Sequence, residues 1–392
     1  MLRTHHARAG GLGPRVLHLM EAADGLEPGV VCAAALRVPG EHLVVTVGIP
    51  SRGLDRPDGP VLGAPAGCPE LAWRPLRALA RAWRPALIQA WSHAMAALAM
   101  LAAPGVPCVV GVLGAPARGE PPVRGALRRR ALERASLVVS VAPEVGQEQA
   151  RAGWLAAGAR DVRVLPLPSV GCPDVTPMRA RWRAELGAGA DDVLVGLAAD
   201  PPARADARHF AFLCGLLFTA GAPVVGVLPR GVGGMRRAAR YLRAHDRRWR
   251  IVSPAAPARD VLGACDLGCL TGTPGRGGIL ASWLGAAGVP VVMPRSELST
   301  EVLGPIEGEL VYERATVKAV GGPMMRLLCD GARRRELSAA LRGHARARDA
   351  ARGREFTGTL AALWSEAATG PAAPGPLSAV PASRPAWAST SS

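Results

Sequence analysis

A glycine-rich segment, Pro274–Gly278, carries the clearest pattern in this sequence for holding an anion. It stands between an apolar run and a helix-forming stretch, and the free backbone N–H groups and dipole at a helix start favour negative charge there. Arg276 adds a positively charged guanidinium group to this segment. An ordinary strand-to-helix turn explains the same glycines equally well, because glycine is common throughout the chain.

The net charge of +16 and the pI of about 11.0 would by themselves suggest a nucleic acid partner. However, Lys318 is the only lysine, and the excess of Arg, Ala, Gly and Pro is spread along the whole chain, as a GC-rich coding bias would produce. No zinc finger, helix-turn-helix or RNA-binding aromatic motif accompanies the charge. We therefore predict no nucleic acid partner.

Arginine is concentrated in three stretches that could form helices, at 124–134, 236–250 and 333–354. The simplest interpretation is a solvated helix face in each case. If one of them binds a partner, anionic lipid headgroups or diphosphate groups fit better than DNA. This leaves open a peripheral contact with the membrane.

The cysteines offer no metal site, because they are scattered in apolar runs without a Cys-x-x-Cys or Cys/His cluster. Cys265 and Cys269 are the closest pair and are expected in the core. Residues 1–13 lack the apolar core of a signal peptide, and no apolar run is long enough to span a membrane. We predict no bound metal and a cytoplasmic location, with a peripheral position on the inner face of the membrane left open.

Short Val/Leu-rich runs recur at intervals that can hold a helix, which is typical of βαβ units and parallel sheets. They form two sets. The predicted strands of the first set are 16–20, 42–49, 86–91, 108–113, 137–142 and 162–167. Those of the second set are 193–199, 222–228, 249–253, 267–271, 289–294 and 309–312. Predicted helices alternate with them at 70–83, 125–135, 143–157, 178–186, 209–220, 235–246 and 316–330.

The pattern predicts an α/β fold with two Rossmann-like domains that face each other across a cleft. A proline-rich stretch, 166–177, separates the two sets of strands and would serve as the linker. We expect an N-terminal domain at 14–168, a C-terminal domain at 178–355, a C-terminal helix that packs back at 356–369, and a disordered tail at 370–392. Two such domains bind ligands outside the carboxyl ends of their strands.

Several segments resemble the glycosyltransferases of family 4, which have the two-domain GT-B fold. The most specific likeness runs from Gly277–Ile279 through Ala286–Val292 to Glu301, and it resembles the donor-binding segment of that family. Further matches keep the family order and extend the resemblance over residues 16–367; they lie at 138–144, 162–167, 307–311 and 327–330.

The resemblance implies a nucleotide sugar as donor substrate, no further cofactor, and a glycan or lipid-linked acceptor. It assigns the donor diphosphate to the loop with Arg276, Gly277 and Gly278, and places Glu301 in the same donor-binding segment. In the acceptor half, a histidine often follows the strand at 109–113, where this chain has Leu113. His93, after the neighbouring strand, is the acceptor-side candidate, although a single histidine is more often structural.

The chain departs from the family at positions that carry charge. Two glutamates that position sugar and ribose hydroxyls are replaced by Gly275 and Trp283. The Arg and Lys that neutralise the leaving diphosphate are replaced by Leu197 and Ala203, with Arg204 and Arg208 nearby as substitutes. Two hypotheses follow: a retaining, metal-independent hexosyltransferase, or a catalytically inactive GT-B scaffold or binding subunit in a polysaccharide or envelope pathway. Nucleic-acid binding ranks below both.

Overall fold

The fold is seen in a computed structural model of the chain. It describes residues 5–6, 13–21, 26–48, 59–65, 68–113, 122–145, 147, 162–171, 174–198, 204–228, 251–252, 258–271, 277–314 and 316–369. Two separate sheets contain all the strands of these residues, and the order along the chain keeps the two sheets apart. The predicted α/β fold with two Rossmann-like sheets is confirmed.

The first sheet has eight strands in the order β1-β3-β2-β5-β6-β7-β8, with β4 paired to β3. All pairs are parallel except the short β1 at the edge. Its central strands are apolar and buried because helices cover both faces of a parallel sheet. The strands are β1 His5–His6, β2 Arg15–Glu21, β3 Glu41–Val47, β4 Val61–Leu62, β5 Leu87–Ala90, β6 Cys108–Val112, β7 Leu137–Ser140 and β8 Arg163–Val164.

The second sheet has six parallel strands in the order β11-β10-β9-β12-β13-β14. Cys265 and Cys269 flank and end its strand β12 and are fully buried, as predicted. Its strands are β9 Val193–Leu197, β10 Val224–Val227, β11 Ile251–Val252, β12 Leu267–Cys269, β13 Val291–Pro294 and β14 Val311–Tyr312.

The helices of the described residues alternate with the strands, and several begin at a residue that caps the free N–H groups. Ser92, Ser296 and Thr316 each accept a hydrogen bond from the backbone N–H three residues later. The helices are α1 Leu26–Ala35, α2 Trp73–Trp83, α3 His93–Ala102, α4 Pro122–Arg134, α5 Thr176–Glu185, α6 Arg204–Thr219, α7 Ala258–Gly263, α8 Gly278–Ala286, α9 Glu297–Leu303, α10 Glu307–Leu310, α11 Val317–Cys329 and α12 Gly331–Thr369.

Helix α12 is a single helix of 39 residues. It contacts helices of the second sheet's domain and strands of the first sheet. Its first part packs on α8 and α11, and its last part packs on β5 and β6 of the first sheet. There the indole Nε1 of Trp364 donates a hydrogen bond to the side-chain oxygen of Gln89 at 2.8 Å. The sequence predicted a separate element at 356–369, but the helix is continuous with the arginine-rich stretch before it.

Two adjacent residues of α12 hold the segment between the sheets. The Asp349 carboxylate accepts hydrogen bonds from the Ser169 hydroxyl and the Gly171 N–H, both at 2.9 Å. The Arg348 guanidinium donates to the Ser282 hydroxyl of α8 at 2.5 Å. Residues 348 and 349 of α12 therefore contact both the linker and α8, the helix that follows the glycine-rich loop.

The structure corrects several local predictions. Residues 309 and 310 belong to helix α10, so the last strand is shorter than predicted, and the strand at 162–167 keeps only Arg163–Val164. Helices α1 and α3 and strand β4 were not predicted, because short apolar segments do not separate helix from strand by periodicity.

Two of the three arginine-rich stretches expose several arginines, as a solvated helix face would, but each also contains arginines that are buried or paired. In α4, Arg128 forms a largely buried ion pair with Glu70, and Arg124 donates to the Cys68 sulfur. In α12, Arg348 is buried. The stretch at 236–250, the predicted helix at 235–246 and the tail at 370–392 lie outside the described residues, and 143–157 lies mostly outside them.

None of the helices described by the structure has the length and apolar character needed to cross a bilayer.

Candidate functional site

The carboxyl ends of the two sheets meet, and the candidate site lies where they do. Helix α1, which follows β2, contacts helix α8, which follows β12. The Glu144 carboxylate, just after β7, accepts a hydrogen bond at 2.9 Å from the backbone N–H of Glu297, just after β13. Ligands of parallel sheets bind at this end of the strands. The ends of both sheets thus border one cleft.

The glycine turn that opens α8 lies on the C-terminal side of this cleft. Gly277 has a left-handed backbone, with φ of +74°, and a side chain there would lie 2.6 Å from Leu270 and 2.9 Å from the Ala198 carbonyl. A side chain at Gly278 would lie 2.0 Å from Leu298. Gly277 is therefore needed for both conformation and packing, and Gly278 for packing. The N–H groups of Gly277 and Gly278 precede the first backbone hydrogen bond of α8, from the Ala281 N–H to the Gly277 carbonyl, and can receive an anion.

The candidate cations of the donor site lie only partly in the described residues. Arg276 is outside them, and Arg204 is described only as the first residue of α6. Arg208 is exposed one turn further along α6. The structure thus places Arg204 and Arg208 on the helix after β9, at the carboxyl end of that strand. The convergence of all three arginines on the glycine turn stays a prediction.

Glu301 is engaged by helix α12. Its carboxylate forms an ion pair with Arg352 at 2.7 Å, and its backbone carbonyl is 2.9 Å from Nε2 of His344. These contacts hold α9 against α12, which is a structural role. Glu301 lies four residues after Glu297 and so remains near the cleft.

The position of the family's second glutamate is part of the core. Trp283 is buried in α8, and its ring lies over Gly263, where an added side chain would be 3.0 Å from the indole. Leu197 ends β9 and is also buried. A carboxylate at 283 would point into an apolar environment, so the replacement is integrated into the packing of this chain. Gly275 and Ala203 lie outside the described residues.

On the acceptor side, His93 is the first residue of α3 and is buried directly after β5. Leu113, the aligned position on the next strand, is half-buried after β6. Both lie at the carboxyl end of the first sheet, and the acceptor-side role of His93 stays a prediction.

Sequence analysis missed a pair of buried histidines under the end of α12. Nε2 of His18 and Nδ1 of His42 are 3.1 Å apart, and Nε2 of His42 is 2.7 Å from the Val38 carbonyl. A carbonyl only accepts, so His42 is protonated on Nε2, its Nδ1 accepts, and His18 donates from Nε2. Burial, and secondarily the unfavourable electrostatic interaction that a protonated His18 would have with the adjacent His42, hold the pKa of His18 well below its ordinary value of 6.5. A polar residue inside an apolar strand was the available signal.

Comparison with known proteins agrees with this architecture. Residues 10–168 match the family model described as a glycosyl transferase 4-like domain. No curated protein matches the chain. The matched segment is the N-terminal half, whereas the most specific motif in the sequence lies in the C-terminal half.

Three solved structures illustrate the similarity of fold. Anabaena HepE in complex with UDP and glucose has a TM-score of 0.65 at 14% identity, over 89% of this chain and 100% of that one. Sucrose-phosphate synthase from Thermosynechococcus elongatus has 0.63 at 16% identity, over 90% and 99%. A glycosyltransferase from Rickettsia africae has 0.62 at 11% identity, over 92% and 100%. The resemblance to family 4 glycosyltransferases is confirmed over residues 10–168, which match the glycosyl transferase 4-like model, and the whole chain is similar in fold to GT-B glycosyltransferases.

Proposed function

We propose that the chain binds a nucleotide sugar in the cleft between its sheets and transfers the hexose to a hydroxyl of a glycan or lipid-linked acceptor. The observation that carries this proposal is the glycine turn at Gly277 and Gly278, which opens α8 where the carboxyl ends of both sheets meet. The similarity in fold to HepE, whose structure contains UDP and glucose, supports the choice of ligand.

In this proposal the donor diphosphate binds to the backbone N–H groups of Gly277 and Gly278, and Arg204, Arg208 and Arg276 supply positive charge. Glu301 holds α9 against α12 through its ion pair with Arg352. His93 faces the acceptor. The cations stabilise the departing diphosphate while the cleft aligns the acceptor hydroxyl, so the reaction needs neither a metal nor a cofactor beyond the donor itself.

A specific observation favours a second function, that of an inactive GT-B scaffold in a polysaccharide or envelope pathway. Trp283 is buried in the core at the position where the family carries a glutamate, and Gly275 has no side chain to replace the other. A chain that kept the fold and lost both carboxylates would still present its surfaces to partner proteins.

Thermal-shift titration with UDP-glucose, GDP-mannose and ADP-glucose separates the two functions. A ligand that binds only the native state raises the melting temperature by mass action. We expect one of these sugars to do so and to be consumed when acceptors are supplied. Arg276→Ala should abolish most of the shift, whereas Arg335→Ala, on an exposed part of α12, should preserve it. Absence of both shift and turnover would leave the scaffold function.

The surface of the N-terminal domain supports a peripheral membrane contact on the cytoplasmic side. Leu71 and Val123 are 63% and 82% exposed, and Arg124 binds Cys68, which brings the start of α4 beside the segment that carries Leu71. Exposed arginines of α2 continue this surface at Arg74, Arg77 and Arg81. Apolar side chains among arginines match an anionic bilayer surface.

Sedimentation with vesicles tests this contact. The protein should pellet with vesicles of phosphatidylcholine and phosphatidylglycerol and not with phosphatidylcholine alone. The triple variant Arg74→Glu, Arg77→Glu and Arg81→Glu should stay in the supernatant. Equal binding by the variant, or binding to DNA that persists at high salt, would contradict the proposed partner.

A further inference from the structure

One carboxylate reaches from the first sheet's domain to the second at the cleft. Glu144 lies in the helical turn after β7, and its Oε1 accepts the 2.9 Å hydrogen bond from the N–H of Glu297. Glu297 begins α9 on the other side of the cleft. The contact therefore joins two segments that are 153 residues apart in the chain.

The second oxygen of this carboxylate is unused. Oε2 of Glu144 is shielded from solvent and has no hydrogen-bond partner in the part of the chain that the structure describes. A carboxylate can accept several hydrogen bonds, and a buried oxygen without a donor is costly. Such an atom needs an explanation, and at a cleft a donor group of a bound ligand provides one.

The position of Glu144 relates it to the glycine turn. Leu298, the residue after Glu297, packs directly on Gly278, where an added side chain would be 2.0 Å from it. The carboxylate thus lies close to the first turn of α8. The positions at which the family supplies carboxylates to the donor, 275 and 283, are Gly and Trp here. Glu144 brings a carboxylate to this end of α8 from the opposite domain.

We propose that Glu144 is a donor-specificity residue that accepts a hydrogen bond from a hydroxyl of the transferred sugar. This inference rests on the proposed function. The ligand group is a hydroxyl rather than a phosphate, because two anions would repel each other. A bond from a hydroxyl to a carboxylate is charge-assisted and strong. Since the contact spans two domains, a change in their separation uncovers Oε2 for the sugar.

The test compares Glu144→Gln with the unchanged protein in calorimetric titrations with UDP-glucose, GDP-mannose, ADP-glucose and the three matching nucleoside diphosphates. Glutamine keeps an oxygen for the Glu297 N–H but loses the charge that the sugar hydroxyl binds. We expect the variant to bind the nucleotide sugar about tenfold or more weakly. Its affinity for the nucleoside diphosphate should stay unchanged. Glu185→Gln, an exposed carboxylate of α5, is the matched control.

The outcomes distinguish the two proposals. A purely structural role for Glu144 predicts that sugar and diphosphate affinities fall together, and this would overturn the inference alone. Equal sugar affinity in variant and unchanged protein would also overturn it. If the unchanged protein binds none of the nucleotide sugars, the proposed function itself fails, and the inference fails with it.

Discussion

At the scale of single residues, burial of His18 makes the stability of the protein depend on pH. His18 is fully buried and neutral, and its pKa is held well below the 6.5 of an exposed histidine. The unfolded chain therefore binds more protons below pH 6.5, so the stability from this group is complete above that pH and is lost as the pH falls. We expect the unfolding free energy to fall by up to about 1.4 kcal/mol per pH unit in that range.

His18→Gln should remove this dependence, because glutamine can still donate to Nδ1 of His42 and does not titrate. Urea denaturation at a series of pH values below 7 measures the slope. A variant that keeps the slope of the unchanged protein would show that another group takes up the proton.

Gly277 and Gly221 provide a matched pair of left-handed glycines. Their φ angles are +74° and +86°, but only Gly277 has atoms within contact distance of an added side chain. Gly221→Ala should cost about 1 kcal/mol from backbone strain alone. Gly277→Ala should cost about 2–4 kcal/mol, because a steric clash is added. Chemical denaturation of both variants checks the difference, and equal losses would contradict the packing of the turn.

At the scale of elements, breaking a buried ion pair should cost more stability than breaking an exposed one. Arg128 of α4 and Glu70 are about nine-tenths buried, with side chains 11% and 9% exposed. Arg128→Ala leaves the Glu70 carboxylate without its cation, and we expect a loss of about 3 kcal/mol. Arg181→Ala, which breaks the exposed Arg181–Glu185 pair of α5, should change the melting temperature little. Similar losses in both variants would refute this distinction.

The packing of the C-terminal end of α12 on the first sheet should depend on Trp364. Its ring contacts His18 and His42, and its Nε1 binds Gln89. Trp364→Ala should cost about 3–5 kcal/mol and expose 356–369 to proteolysis. Trp364→Phe keeps most of the apolar contact and should cost less. Protection of the helix in the alanine variant, seen by limited proteolysis, would contradict the proposed anchoring.

At the scale of the whole molecule, the sequence predicted the two sheets well, because apolar strand runs at βαβ intervals are a local signal. Nine of the twelve predicted strands have counterparts of three or more residues, because their apolar runs are long and uninterrupted. The strands predicted at 162–167 and 309–312 are reduced to two residues each, and of the strand predicted at 249–253 the described residues contain Ile251–Val252. The link between Trp364 and Gln89, 275 residues apart, could not be predicted, since no local pattern encodes it. The same holds for Glu144 and Glu297. The cleft was predictable, but the groups that meet across it were not.

Because of the long helix α12, the order of segments along the chain does not show where the protein could be cut into stable fragments. Its last turns complete a surface made by residues near the beginning, so a fragment that ends at the linker would expose the ring faces and amide that Trp364 covers. Adding a peptide of 353–369 would supply that cover in trans. Recombination with a related chain would therefore have to exchange two segments, the start and the last helical turns, as one inherited unit.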